Sequence, residues 1–307
     1  MLPSVHRRHP VLSRIRSLGT IVGESAFGSM SGFSRRPELA GPLQLGITFI
    51  GHSSFLIQIG GRNLLIDPVF AARLIALRRL RRPGVRILHL PPIDAVLLSH
   101  AHMDHLNRPS LRRVVAHTRR LTGRAPAVVV PWGVEDLVGD LGFSRVQAME
   151  WWQIRQVAGL EITMTPAKHW GARLFRDTHR GFGGYLVRSA VHSVYHSGDT
   201  AYFDGFLRIG ERLRPQAALL PIGAYNPDHY RRMHMSPEEA LRAFQDLGAQ
   251  RMIPMHFGTF RLSREPMDEP VKRLLSAAAR AGLLPAVQVL GEGESRIVCA
   301  DSVDGVC

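Results

Sequence analysis

A heptapeptide rich in metal-ligand residues directly follows an apolar run, and it constrains this chain more than any other feature. Residues 99–105 read SHAHMDH, which places three histidines and one aspartate close together. The preceding run, residues 93–98, has the length and composition of a buried strand, so the heptapeptide lies on the loop that leaves its end. Imidazole and carboxylate groups are zinc-type ligands, and a tight turn with four of them can point pairs toward two ions. The sequence therefore predicts a binuclear metal site.

Three further candidate ligands occur downstream, each after a short apolar segment with strand character. They are His169, Asp199 and His256. Side chains at the ends of successive strands converge on one rim of a sheet. The alternative is a chance cluster among the 15 histidines of the chain, some of which must be surface or helix-cap residues. That alternative does not explain why each later candidate also follows a strand.

The order H-x-H-x-D-H, then a lone histidine, a lone aspartate and a final histidine, resembles the signature of the metallo-β-lactamase fold superfamily. The resemblance implies an α/β protein with an αββα sandwich and two zinc ions, with manganese or iron as alternatives. The implied ligands are His100, His102 and His169 for one metal and Asp104, His105 and His256 for the other, with Asp199 as the bridge.

Within this superfamily, the chain is most similar to the N-acylphosphatidylethanolamine-hydrolysing phospholipase D branch and its bacterial relatives. The similar segments are AKHW at 167–170, SGDTAY at 197–202, PIGAY at 221–225, HMSPEEA at 234–240 and HFGTF at 256–260. The similarity spans residues 46–260, about two thirds of the chain. It implies hydrolysis of an N-acylphosphatidylethanolamine-type phospholipid, with release of an N-acylethanolamine and phosphatidate.

The ligand set favours hydrolysis by metal-bound hydroxide, and the resemblance implies a phosphodiester as the substrate. Two zinc ions lower the pKa of a shared hydroxide and neutralise charge on a phosphoryl or carbonyl oxygen, so no serine or cysteine triad is required. Asp104 and His234 are the expected catalytic residues. Two alternatives stay open: another hydrolase on the same metals, such as a sugar-phosphate lactonase or a nuclease, and a non-catalytic lipid-binding protein.

Three residues are expected to bind substrate in the cleft: His52, Tyr225 and His234. His234 precedes a capping box that opens at Ser236, and a helix N-terminus offers free N–H groups to a phosphate. We therefore expect His234 to bind a phosphate or to protonate a leaving alkoxide. Packing roles are the alternatives for all three residues. Asp67 either orients a ligand imidazole or caps a turn.

The charge of the chain indicates anionic partners. Lys and Arg number 39 against 25 Asp and Glu, and six arginines without any acid lie between Asp67 and Asp94. Apolar residues interleave this run, so it predicts a basic amphipathic segment on anionic lipid headgroups, with a solvated insertion as the alternative. The arginines expected to face the lipid are Arg78, Arg79, Arg81 and Arg82. Nucleic acid ranks below lipid because no stacking aromatic residues interleave the run.

Length and patterning predict one catalytic domain over residues 41–307, preceded by an extension over 1–40 without clear periodicity. No stretch reaches the ~18–20 apolar residues of a membrane span, and Arg14 and Arg16 interrupt the N-terminal apolar run too early for a signal peptide. Cytoplasmic localisation is expected, with peripheral contact at the inner membrane face. Strands are predicted at 47–50, 55–59, 64–66, 127–130 and 217–220, with a closing pair at 287–290 and 296–298. Helices are predicted at 109–117, 133–142 and 236–247.

Overall fold

Two stacked β-sheets form the centre of the fold in the computed structural model, which describes residues 30–173 and 177–299. The strands of the first sheet are, in spatial order, β15 (Ser295–Val298), β1 (Leu45–Gly51), β2 (Ser54–Ile59), β3 (Arg62–Ile66), β6 (Ala95–Leu97), β7 (Ala127–Pro131) and β8 (Arg145–Met149). Those of the second sheet are β14 (Arg251–Met255), β13 (Ala217–Pro221), β12 (Ser193–His196), β11 (Gly184–Arg188), β10 (Leu160–Thr165) and β9 (Ile154–Val157). A short ribbon pairs β4 (Arg73–Leu74) with β5 (Leu77–Arg78).

Both faces of the first sheet are buried, and alternate apolar residues along its strands pack on opposite faces. Phe55 and Ile57 in β2 belong to the core that also contains residues of the second sheet, whereas Leu56 between them belongs to a separate core on the outer face. Successive strand side chains point to opposite faces, so one apolar run serves both cores. Each such side chain stabilises the fold by about 1.5–3 kcal/mol relative to exposure.

Helices cover the outer face of each sheet. They are α1 (Arg108–Thr122), α2 (Gly205–Leu213), α3 (Pro237–Leu247) and α4 (Glu269–Arg280). Val114 of α1 packs in the outer core of the first sheet, and Phe206, Phe244 and Leu274 of the other helices pack against the second. The layer order is helix, sheet, sheet, helices, which confirms the predicted αββα sandwich.

Two predicted elements are wrong. The helix predicted over 133–142 is a single 3₁₀ turn, Glu135–Leu137, because Gly139 interrupts the segment, glycines form both of its ends and so short a helix is marginal. In the strand predicted over 287–290, Val287 makes only an isolated bridge to Met252, because a 3₁₀ turn (Leu284–Ala286) leads directly into it. The strand predicted over 296–298 as its partner is β15, and it pairs with β1 instead. The helix predicted over 109–117 exists, and it continues to Thr122.

The arginine-rich run is not one amphipathic segment. Its first part is the β4–β5 ribbon, and the next residue, Arg79, is completely buried. The guanidinium of Arg79 donates to the carbonyl oxygens of Val69 and Arg81, each at 2.8 Å, and burial lowers its pKa to about 10. Arg79 therefore cannot face a membrane, contrary to the expectation from the sequence.

The described end of the predicted N-terminal extension runs along the segment that follows the ribbon. Ser31 bridges to Arg81, and Arg35 bridges to Val85. Residues 1–29 of the predicted extension lie outside the described residues. Among the helices that the structure describes, none has the length and hydropathy needed to cross a bilayer.

Candidate metal centre

The predicted ligands lie on loops at one edge of the two sheets. The loop with the heptapeptide leaves β6, which pairs parallel to β3 and β7, and Asp67 follows β3. In the second sheet, Asp199 follows β12 and His256 follows β14, while His169 follows β10. Strands β12, β13 and β14 are parallel, so their carboxyl ends share an edge. Such edges are the usual ligand sites of α/β sheets.

One group of convergent side chains consists of His100, His102 and His169. Nδ1 of His102 lies 2.8 Å from Nε2 of His100 and 3.3 Å from Nε2 of His169. Nδ1 of His169 donates a hydrogen bond to the carbonyl oxygen of Met233 at 2.9 Å. This bond fixes the tautomer, so the lone pair on Nε2 faces the other two imidazoles.

A second group gathers around the carboxylate of Asp104. Its Oδ2 atom lies 3.0 Å from Nε2 of His52, 3.6 Å from Nε2 of His256 and 3.7 Å from Nε2 of His105. One ligand atom from each of these four residues lies within 4.8 Å of the others. The structure therefore brings His52 into the predicted ligand set, where the sequence placed it only on the substrate side.

Asp199 connects the two groups. Its Oδ2 atom lies 3.0 Å from Nε2 of His256 and 3.2 Å from Nε2 of His105, and it also clusters with His100. Its other oxygen, Oδ1, is buried and accepts no hydrogen bond from any described residue. A buried anionic oxygen without a donor fits a cation, and imidazole with carboxylate suits zinc, iron or manganese. The cluster therefore fits a metal centre.

Asp67 holds the metal loop in position through hydrogen bonds to Ser99 and His105. Its carboxylate accepts hydrogen bonds from the backbone N–H of Ser99 at 2.7 Å, the hydroxyl of Ser99 at 2.5 Å and Nδ1 of His105 at 2.7 Å. Gly198 allows the loop of Asp199 to approach, because a Cβ there would lie 2.8 Å from Cβ of Ser99. The geometry thus assigns Asp67 the orienting contact that the sequence left open against turn capping.

Three residues of the site have left-handed backbone conformations. The φ angles are 61° at His52, 45° at Asp67 and 61° at His256. Such angles are uncommon outside glycine and cluster at functional sites. The backbone N–H of His256 donates to the carbonyl oxygen of His52 at 2.8 Å, and the N–H of His52 donates to Oγ1 of Thr259 at 2.8 Å. These bonds hold the strained turns together.

The two groups differ in their protonation. Burial lowers the pKa of His100 and His169 well below the usual value, so these imidazoles are neutral and each can offer a nitrogen lone pair to a metal. Burial alone would also lower the pKa of His105 and His256, but Asp199 and Asp104 outweigh it. The pKa of His256 is raised to about 9. Without metal, His105 and His256 therefore carry protons between the carboxylates, where a metal cation would also be favoured. Metal binding would release these protons.

The predicted substrate residues lie in different places. His234 is at the cluster, with its ring centroid 5.2 Å from that of His169, and burial lowers its pKa to about 4. A neutral His234 can donate a hydrogen bond but is poorly suited to protonate an alkoxide. Tyr225 is not brought to the cluster in the described structure, because its hydroxyl donates to Glu269 at 2.7 Å and its ring packs under Arg273.

The predicted capping box beside His234 is confirmed, and it occupies two of the N–H groups at the helix start that were expected to be free. Ser236 accepts from the backbone N–H of Glu239, and the Glu239 side chain accepts from the backbone N–H of Ser236. Glu238 also lies in this first turn. Two carboxylates at the start of α3 disfavour an anion there.

Comparison with known proteins agrees with this geometry. The sequence model of the β-lactamase superfamily domain matches residues 62–257, which include the ligand candidates from His100 to His256. This chain belongs to the metallo-β-lactamase superfamily.

Its relatives include metal-dependent hydrolases. The chain is 33% identical over 250 residues to an N-acyl-phosphatidylethanolamine-hydrolyzing phospholipase D of Saccharomyces cerevisiae, covering 76% of this chain and 52% of that protein. It is 32% identical over 256 residues to a UPF0173 metal-dependent hydrolase of Methanopyrus kandleri, covering 81% and 98%. The solved structure of Igni18, a metallo hydrolase from Ignicoccus hospitalis, matches with a TM-score of 0.62 and 27% identity over 83% of this chain and 98% of that one. This member of the superfamily is accordingly a metal-dependent hydrolase.

Two positioning residues of the site were missed by the sequence reasoning. The guanidinium of Arg173 donates to the carbonyl oxygens of Ala101 at 2.8 Å and Leu106 at 3.0 Å, and so holds the metal loop. His196 accepts from the backbone N–H of Gly198 at 3.1 Å beside Asp199. Arg173 could not be singled out because the sequence contains so many arginines. The contact of His196 depends on the folded chain, and no sequence pattern indicates it.

Aromatic residues border the His102–His169 side of the centre. The ring of Trp170 lies 4.9 Å from that of His102, and the ring of Phe182 lies 6.4 Å from that of His169. Trp151 contacts Phe182 at 5.7 Å between ring centroids. Trp151 and Trp170 are both exposed. An exposed aromatic border beside polar ligands suits a substrate with an apolar part.

Proposed function

We propose that this hydrolase cleaves phosphodiesters with two divalent cations, as a phospholipase D of the N-acylphosphatidylethanolamine-hydrolysing kind. The observation that carries the proposal is the sharing of Asp199 by two ligand groups beside an aromatic border. The 33% identity to the yeast phospholipase D supports the substrate class. The products would be an N-acylethanolamine and phosphatidate.

The residues of the centre have distinct roles in this proposal. The histidine group His100, His102 and His169 would hold one cation, and Asp104, His105 and His256, joined by His52, would hold the other, with Asp199 shared. When bound, zinc-type cations acidify a ligated water and neutralise charge on phosphoryl oxygens. Asp67 and the carbonyl of Met233 hold the ligand imidazoles in orientation. His234, neutral and at the edge of the cluster, donates a hydrogen bond to the phosphoryl group.

A substrate panel tests this proposal. Purified protein would be assayed with N-acylphosphatidylethanolamine vesicles, a sugar-phosphate lactone and RNA, with mass spectrometry of the products and elemental analysis of the same sample. We expect N-acylethanolamine and phosphatidate, and close to two transition-metal equivalents per chain. Asp199→Ala should lose both metal and activity, whereas Asp140→Ala, at a surface ion pair with Arg108, should keep both.

Three outcomes would contradict the proposal. One metal equivalent that zinc or manganese does not increase would exclude the binuclear centre. Faster turnover of the lactone or RNA would favour another hydrolase on the same fold. Two metals without turnover of any ester would favour a lipid-binding protein.

We also propose that the β4–β5 ribbon contacts an anionic membrane surface. Ile75 at its tip is 79% exposed, and the exposed Arg73 and Arg82 have no carboxylate partner among the described residues. Each such charge contributes about 1 kcal/mol near an anionic leaflet. Combined Arg73→Glu, Ile75→Asp and Arg82→Glu changes should abolish binding to phosphatidylserine vesicles while soluble short-chain substrate is still hydrolysed. Unchanged vesicle binding would make the ribbon a solvated surface.

A further inference from the structure

An open groove of about 490 Å³ lies on the outer side of the first sheet, and its lining includes no residue of the metal centre. Phe70, Val85 and Ile87 are buried apolar residues of this lining. The wall is one face of α1. The volume is within the ~300–1,000 Å³ typical of sites for small molecules. The groove therefore has the size and the apolar surface of a ligand site.

Three arginines surround this apolar surface. Arg113 and Arg120 lie two turns apart on α1, and Arg86 lies on the opposite segment. His117, between the two helix residues, donates from Nε2 to the carbonyl oxygen of Leu90 at 2.9 Å and accepts from Nη2 of Arg120 at 3.4 Å. This fixed imidazole holds the Arg120 guanidinium beside the groove.

The three guanidinium groups have no carboxylate partner in the described part of the chain. No acidic residue lines the groove. Neighbouring arginines on the same helix differ: Arg112 pairs with Asp140 at 3.1 Å, and Arg119 donates to the carbonyl oxygen of Gly142 at 2.9 Å. Unlike the charge of Arg112, the three guanidinium charges at the groove are therefore not compensated by a described carboxylate. Uncompensated like charges around an apolar surface favour an anionic occupant.

We propose that this groove binds a phosphate monoester that carries an apolar group. Guanidinium forks match phosphate oxygens in bidentate geometry, which places the phosphate among Arg86, Arg113 and Arg120. The apolar group lies over Val85 and Ile87. This site is separate from the metal centre, and the inference does not depend on the proposed activity.

Binding of dodecyl phosphate, below its micelle concentration, tests the groove by isothermal titration calorimetry. The double variant Arg113→Glu/Arg120→Glu should raise Kd by about tenfold or more, because each charged hydrogen bond lost weakens binding strongly. The matched control is Arg112→Glu/Arg119→Glu, on the same helix with the same change in net charge, and its Kd should stay within about twofold. Inorganic phosphate should bind about tenfold more weakly than dodecyl phosphate, since it lacks the apolar contact.

Several results would overturn the proposal. Equal losses in the two double variants would mean that net charge alone attracts the ligand. An unchanged Kd in Arg113→Glu/Arg120→Glu would place the ligand elsewhere, including at the metal centre. Inorganic phosphate binding as tightly as dodecyl phosphate would remove the role of the apolar lining. Binding to phosphatidate vesicles without binding to dispersed dodecyl phosphate would indicate a membrane surface. Circular dichroism spectra and hydrolysis rates, both expected at wild-type values, verify the fold of each variant at the assay temperature.

Discussion

Replacing Asp67 by asparagine tests whether this buried carboxylate controls metal affinity. The change keeps the side-chain volume but leaves one acceptor oxygen in place of two. Ser99 and His105 supply three donors to the carboxylate, so at least one donor loses its partner. A freed Nδ1 of His105 lets the imidazole rotate and lowers its basicity toward a metal.

The expected loss follows from these contacts. Outer partners of metal-bound histidines contribute about 10–100-fold in affinity, or about 1.4–2.7 kcal/mol. One buried donor left unpaired costs a further ~1–3 kcal/mol of folding stability. We therefore expect Asp67→Asn to bind metal weakly, to melt at a lower temperature and to recover activity when metal is added in excess.

Competition with a fluorescent zinc chelator gives the affinity, and thermal unfolding gives the stability. Asp94→Asn is the matched control, because Asp94 also accepts from a backbone N–H, that of Asn63 at 2.8 Å, and it lies directly before β6, at the opposite end of that strand from the metal loop. It should lose some stability but no metal affinity. If Asp67→Asn loses stability alone, Asp67 is a turn cap and the orienting role is refuted.

Three further predictions follow from the site and its surroundings. His234→Ala should lower turnover of an unactivated phosphodiester by about a hundredfold, with metal content unchanged by elemental analysis; an unchanged rate would make His234 a packing residue. Ser236→Ala should lower the free energy of unfolding by about 1 kcal/mol, measured by urea titration, since it removes the cap of α3; no change would mean that Glu239 alone suffices. After metal removal, the folding stability contributed by protonated His256 should be complete below its usual pKa of 6.5 and lost as pH rises through about 9, because burial lowers its pKa but Asp199 and Asp104 together raise it by more. The Tm of chelated protein should therefore fall between pH 6.5 and 9, and a constant Tm would contradict the protonation of His256.

Elements that repeat a local pattern could be predicted from the sequence. Alternating apolar residues located β1, β2 and β3, and the capping box at Ser236 located α3. The convergence of His100, His102 and His169 was also expected, because strand ends share an edge. The helix prediction at 133–142 was wrong, since Gly139 interrupts this short segment and propensity alone cannot sustain a helix there.

Features that depend on how the loops fold and on contacts between separate segments could not be predicted. Burial of Arg79 requires carbonyl oxygens from Val69 and Arg81, and composition alone suggests a solvated arginine. The position of Tyr225 is set by Glu269, which is far along the chain. His52 joins the ligand group because strained turns meet, and no residue pattern signals a left-handed conformation at a histidine.

The division of the centre between two sheets links metal supply to the lifetime of the protein. His100 and Asp104 come from the first sheet, whereas Asp199 and His256 come from the second, so each half holds an incomplete site. Metal then binds only where both halves are folded and docked, and it stabilises that state by mass action as its concentration rises above Kd. A cell short of metal would therefore lose the protein itself to proteolysis as well as its activity, and abundance would report metal availability.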